Sequence, residues 1–221
     1  TKSGFSIITY TGTGSNATIG HGLTKAPEFI IVKNRTDSGG TSNWTLYHKG
    51  ATADYYTTFT ASVFSDNNTF WNDTAPTTSV FSVKSATQTN KSGDTYVAYC
   101  FAEKKGFSKF GYYKGNGNAS GPQIYCGFKP KLVFLKKADG TEDWIFKTTA
   151  IDYGQLANDG EMKRTMKISD NSSNTNCTIN ANAIGFRPTT TDSKANGDNA
   201  LYLYMAFAEH SIVGTNGTVG L

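Results

Sequence analysis

Residues 95–103, Thr-Tyr-Val-Ala-Tyr-Cys-Phe-Ala-Glu, return near the other end of the chain as residues 201–209, Leu-Tyr-Leu-Tyr-Met-Ala-Phe-Ala-Glu. A run this apolar, rich in aromatic and β-branched residues and ended by a charge, reads as a strand buried on both faces. Two such strands require two cores. The echo therefore constrains the fold more than the length of 221 residues does, since that length suits one large β domain or two small ones.

Other words recur in the same order. Gly4-Phe5-Ser6 returns as Gly106-Phe107-Ser108, Tyr10-Thr11-Gly12-Thr13-Gly14 as Tyr113-Lys114-Gly115-Asn116-Gly117, and His21-Gly22-Leu23 as Cys126-Gly127-Phe128. Pro27 leads the apolar run Phe29-Ile30-Ile31-Val32-Lys33 as Pro130 leads Leu132-Val133-Phe134-Leu135-Lys136; a proline at the mouth of a strand costs no ladder hydrogen bond. Trp44 and Trp144 then each open a strand after a polar turn, which predicts a hairpin in each copy. Phe81 parallels Phe186, and the turn 90–94 parallels 196–199.

The order of these words predicts an all-β chain of two tandem antiparallel β-sandwich units. The first spans 1–103 and the second 106–210, with a C-terminal extension 211–221. Only Lys104-Lys105 separates the units, so they are expected in close contact. Each unit should hold five to seven short strands; a single barrel interleaved from both halves is the alternative. Composition agrees with the class: 23 Gly, 12 Tyr, 14 Phe and only 17% charged residues suit turns and pleated, half-buried surfaces. The window 154–168 is the best candidate for a helix, and its Gly and Asp breakers make it a loop followed by a strand.

A net charge of +4, with Lys and Arg scattered along the chain, disfavours nucleic acid as a partner. Lys129, Lys131, Lys136 and Lys137 alternate with an apolar strand and read as a solvated strand edge. No run approaches the roughly twenty apolar residues of a membrane span, so no membrane insertion is expected. The chain opens on strand-like sequence and looks like a piece of something longer.

Chemistry is sparse. Three cysteines, Cys100, Cys126 and Cys177, are neither a disulfide framework nor a zinc site. Cys100 reads as a core residue, and Cys126 and Cys177 pair only if the fold brings them together. His21, His48 and His210 have no partner at metal-ligand spacing, so neither a metal nor a cofactor is expected, and His21 matching Cys126 in the repeat marks a structural position. Glu142, Asp143, Asp152, Asp159 and Glu161 are the carboxylates closest in sequence for glycosidase work, but turn positions account for them; Glu103 and Glu209 end matching strands. Gly12-Thr13-Gly14 and Gly115-Asn116-Gly117 read as hairpin turns, because no helix follows to make a phosphate loop.

One cluster invites a ligand. Tyr55, Tyr56, Trp71, Asn72 and Asp73 combine aromatic faces with amide and carboxylate groups, which suits sugars: C–H faces stack on rings while hydroxyls take directional hydrogen bonds. The competing reading is that Trp71 packs inside its own domain. The cluster lies where the two copies diverge, between the Trp strand and Phe81 or Phe186, and loops on a rigid frame carry recognition.

Taken together, Gly4-Phe5-Ser6, Tyr10-Thr11-Gly12, His21-Gly22-Leu23, the Pro27-led strand, Trp71-Asn72-Asp73-Thr74 and the run from Tyr96 to Glu103 resemble a two-repeat module of bacteriophage tail-fibre and other virion structural proteins, especially those of marine phages. The resemblance covers nearly the whole chain, residues 211–221 matching weakly. It implies a non-enzymatic component of the virion tail, acting outside the host cell with other virion proteins as partners and, as fibre proteins commonly are, homotrimeric; the module is also similar to small sandwich lectins, a fold-level analogy. The Tyr55–Thr74 cluster adds the expectation of a host-surface polysaccharide as receptor. A purely structural spacer, collar or capsid decoration is the alternative, and a depolymerase a distant third. The family supplies no binding residues to carry over.

Overall fold

The computed structural model describes residues 4–36, 42–148, 161–162, 165–167, 173–174 and 177–208, with backbone alone for those between 161 and 174. Asp152, Asp159, Glu209, His210 and the extension 211–221 lie outside the described residues. Of the window 154–168, two short strands, Glu161–Met162 and Thr165–Lys167, are described.

The regular structure is almost all antiparallel strand, and the chain divides into two compact units, residues 1–59 with 64–103 and residues 104–221 with 60–63. The first unit runs β1 (Phe5–Thr11), β2 (Ala17–Gly20), β3 (Phe29–Asn34), β4 (Thr45–His48), β5 (Tyr55–Thr58), β6 (Ser65–Asp66), the one-turn helix α1 (Asn68–Trp71), β7 (Val80–Val83), α2 (Thr87–Asn90) and β8 (Thr95–Phe101). The second runs β9 (Ser108–Lys114), β10 (Ile124–Tyr125), β11 (Pro130–Lys137), β12 (Ile145–Thr148), β13 (Glu161–Met162), β14 (Thr165–Lys167), β15 (Ser173–Asn174), β16 (Ile179–Asn182), β17 (Gly185–Pro188) and β18 (Leu201–Ala208). The strands outnumber the five to seven expected because several are only two residues long.

Each unit is a sandwich. A six-stranded sheet ordered β1-β8-β3-β4-β5-β6 faces a two-stranded sheet β2-β7, and a six-stranded sheet ordered β9-β18-β11-β12-β14-β15 faces a four-stranded sheet β10-β17-β16-β13. Every sheet draws its strands from one unit, so the interleaved barrel is not the fold. The hairpins β3–β4 and β11–β12 pair as expected, Ile31 against Leu46 and Phe134 against Phe146. In the first core, Ile30, Val32, Tyr96 and Ala98 pack with Phe81, Val83, Phe70 and Trp71. In the second, Val133, Leu135, Tyr202 and Tyr204 pack with Ile124, Ile179, Ala181 and Phe186. Each of the valines, leucines, isoleucines and phenylalanines among them, fully buried, contributes about 1.5–3 kcal/mol.

The two echoed strands are not buried alike. Residues 202–206 of β18 are all buried, whereas β8 alternates, with Tyr96, Ala98 and Cys100 inside and its other face half-exposed. Both take the same central place, between β1 and β3 or between β9 and β11.

The repeated words build one device twice. Tyr10 stacks on Tyr96 with ring centroids 5.0 Å apart, and Tyr113 on Tyr202 at 5.1 Å. Their hydroxyls donate to main-chain carbonyls of the segment before each echoed strand: Tyr10 to Thr89 at 2.6 Å, Tyr96 to Thr87 at 2.7 Å, Tyr113 to Ala195 at 2.6 Å, Tyr202 to Ser193 at 2.5 Å. That segment also holds a wholly buried asparagine. The side-chain amide of Asn90 donates to the carbonyls of Ser15 and Lys84, and its oxygen accepts from the Thr13 N–H at 2.8 Å. Asn196 reaches the carbonyls of Asn118 and Thr190, and accepts from Asn116 N–H at 3.0 Å. Buried amides so paired fix one arrangement of the chain.

The glycines of these words are not hairpin turns, contrary to the sequence reading. β1 pairs with β8 and β2 with β7, so residues 12–16 cross from one sheet to the other over the Asn90 segment. A side chain at Gly12 would fall on the Lys91 carbonyl, and one at Gly115 on that of Gly197. Glycine is required there by the close approach of two backbones.

A second correction concerns the lysines. Lys129 is exposed, but Lys136 is 0% exposed, because its ammonium donates to the carbonyls of Lys137, Gly140 and Glu142 at 2.7–2.9 Å and closes the β11–β12 turn. Lys33, its counterpart, donates to the Ser42 carbonyl in the β3–β4 connection. Burial holds the Lys136 ammonium down to about 8, against the pull of Glu142 and Asp143.

Candidate functional site

The five residues singled out in the first unit do not form one surface. Trp71 is only 2% exposed, held edge-on against Tyr47 and Phe81 with centroids 5.9 and 6.3 Å away. It is core, and offers no face to a sugar. Its indole N–H is buried with no hydrogen-bond partner among the described residues. Tyr55 and Tyr56 follow one another in β5 and so point to opposite faces: Tyr56 stacks on Phe70 at 3.6 Å, leaving Tyr55 exposed opposite Asp66. Asn72 and Asp73 both adopt positive φ, 55° and 47°, a conformation these two residue types tolerate. They turn the chain after α1, where the Thr74 hydroxyl donates to the Asn72 carbonyl at 2.7 Å. Turn chemistry accounts for this pair, and core packing for the tryptophan.

The remaining candidates are also placed by structure. His21 is wholly buried; its Nδ1 accepts from Leu23 N–H at 3.1 Å, so its Nε2–H faces the Thr77 carbonyl at 3.2 Å. His48 accepts from Gly50 N–H at 3.0 Å and caps a 3-10 turn. Glu142 accepts from the Ser193 hydroxyl at 2.6 Å and lies 3.9 Å from the Lys194 ammonium. Cys100 is buried as expected, its thiol pushed up to about 12 by desolvation. Cys126 and Cys177 are buried thiols, not joined in a disulfide. Cys126 meets Ile184 at one end of the β16–β17 hairpin, while Cys177 precedes its other end, about 16 Å along the strand, so the fold does not bring them together. Among the described residues no three His, Cys, Asp or Glu side chains gather as a metal site, and no helix is long and apolar enough to cross a membrane.

A surface that the sequence reading missed lies on the second unit. In the four-stranded sheet Ile124, Phe186, Ile179 and Ala181 point into the core. Alternation therefore turns Gln123, Tyr125, Arg187, Asn180 and Asn182 to the outer face. Tyr125 is 67% exposed and sits opposite Gly185, itself opposite Asn182. Asn182 and Gln123, on the strands flanking β17, meet across it: the Asn182 amide donates to Gln123 Oε1 at 2.9 Å, and Gln123 Nε2 donates to the carbonyls of Ile124 and Phe186 at 3.2 and 3.3 Å. The Asn182 oxygen accepts from Ile184 N–H at 3.2 Å. Arg187 is exposed in the neighbouring row, paired with Asn180, and Ile184 stands exposed at the hairpin tip.

The described residues of the first unit's smaller sheet form no such surface. His21 N–H donates to the Ser79 carbonyl as Cys126 N–H donates to that of Ile184, so Gly20 and Ser79 stand where the second unit has Tyr125 and Ile184. Its smaller sheet has two strands, and α1 with Trp71 fills the core beside it. A ring on a flat sheet, edged by amides held in place by one another and by a guanidinium, can stack on a sugar and direct hydrogen bonds to it.

The chain belongs to the family described as a domain of unknown function, DUF7483, whose profile matches residues 1–211. Comparison with curated proteins gives no match.

Proposed function

We propose that this member of the family is a non-enzymatic virion module of a bacteriophage tail fibre or tail tip, and that it takes part in recognising a polysaccharide on the host surface. The observation that carries the reading is Tyr125, an aromatic ring 67% exposed beside the hydrogen-bonded amides of Gln123 and Asn182. Its counterpart in the other unit is Gly20. The likeness of the repeated words to tail-fibre modules supplies the setting. Other virion chains are the structural partners, and a homotrimer presenting three copies of the face turns weak sugar contacts into a firm hold.

The test is binding of the purified chain to an array of host-derived polysaccharides. Binding that Tyr125→Ala removes while the melting temperature holds supports the reading. A chain that binds no glycan, in particles whose label lies along a shaft or collar, establishes a scaffold role in its place.

A further inference from the structure

We infer that the sugar taken by the Tyr125 face is acidic, a pyranose carrying a carboxylate; the inference rests on the glycan reading above. The face is built from amides, one aromatic ring and the Arg187 guanidinium. β17 sets Arg187 two residues beyond Gly185, the register partner of Tyr125, which places it diagonally from Tyr125 at about 7–8 Å between backbones, within reach of long side chains. A pyranose lying on the Tyr125 ring spans that separation with its ring carboxylate directed at the guanidinium fork, whose geometry matches a carboxylate with two parallel hydrogen bonds.

Gln123 and Asn180 stand on either side of Arg187, Asn180 by direct pairing and Gln123 by continuation of the ladder from Ile124↔Phe186. Their amides line the row where the hydroxyls of such a sugar lie. Among the described residues the nearest carboxylate by register is Glu161, opposite Asn180. It stands two strands from Arg187, about 10 Å, on the side away from Tyr125. The corresponding positions of the first unit, Thr18, Gly20, Val80 and Ser82, carry no charge.

The experiment titrates the intact chain with short oligouronates and with the same oligomers after reduction of their carboxylates to alcohols, for the wild type, Arg187→Gln and Tyr125→Ala. The wild type should prefer the oligouronates by about tenfold, the worth of one charge-assisted contact. Arg187→Gln should bind both forms alike and keep its melting temperature, and Tyr125→Ala should lose both. Equal binding of the two forms by the wild type overturns the acidic inference and leaves the glycan reading standing. Binding of neither form, together with a blank polysaccharide array, overturns both. A preference that survives in Arg187→Gln overturns the assignment of Arg187.

Discussion

The two units solve one packing problem in two ways. At one end of each sandwich the solutions coincide: stacked tyrosines, a buried asparagine, and a glycine pressed against a carbonyl hold the crossover between sheets. Beyond that end they part. The first unit fills the space beside its small sheet with α1 and the Trp71 indole, whereas the second extends the sheet with β16 and β13. A helix of one turn presents no flat outer face, while strands added to a sheet do. What fills the core thus decides which unit has a surface broad enough to hold an extended ligand.

Trp71 is where that comparison is easiest to break. Trp71→Ala should cost about 3–5 kcal/mol, read as a drop in the urea midpoint of the first unit's transition. Trp71→Phe should cost clearly less, since it keeps an aromatic ring and removes an unpaired buried donor. Equal losses in the two variants would mean that a phenyl ring recovers none of the indole's packing, against the edge-on packing of Trp71 on Tyr47 and Phe81.

The shared end offers a sharper comparison. Asn90→Ala and Asn196→Ala each strand several buried main-chain groups, and each should lower stability by about 2–3 kcal/mol. The two losses should agree closely if the device is the same in both units. A large difference, measured by chemical unfolding of the two variants, would show that one copy leans on it more.

Lys136 has a pH signature. Its ammonium sits at about 8 when folded against an ordinary 10.5. Between those values the unfolded chain holds a proton that the folded chain has shed, so stability rises as pH climbs through that window. The rise, followed as urea midpoint against pH, should vanish in Lys136→Met.

The smallest effects concern the surface itself. Tyr125→Ala should change stability by no more than about 0.5 kcal/mol. Gly20→Tyr, which places the same ring on the first unit where a Cβ meets nothing within 4 Å, should fold equally well. It should add no glycan binding on the array, because no amide pair or arginine lies beside it. A gain of binding in Gly20→Tyr would show that an exposed ring alone suffices.

How much of this was legible in the sequence follows from which residues the repeat duplicates. Words present twice named the strands, the hairpins and the boundary, because a buried strand or a lock constrains its residues wherever it is reused. Trp71 misled for a physical reason: an aromatic residue beside Asn and Asp looks like a sugar site, yet the Asn72-Asp73 pair is there for its backbone conformation. Lys136 looked solvated because a lysine between apolar residues gives no sign that turn carbonyls will surround its ammonium. The Tyr125 face stayed hidden because its residues alternate one by one with core residues and come from three strands. The clue was a difference inside the repeat, a tyrosine before Cys126 where a glycine precedes His21.

The central place of the echoed strands also sets the order in which the chain matures. Phe5 pairs with Phe101 and Ser108 with Phe207, so the opening strand of each unit acquires its neighbour only when the closing strand has been made. At ordinary translation rates the interval is roughly 5–20 s, during which β1 has an unpaired edge and a half-apolar face. Long-range closure of this kind slows folding and rewards synthesis in a setting where the waiting strand is shielded, by the ribosome exit, a chaperone or the strands already assembled.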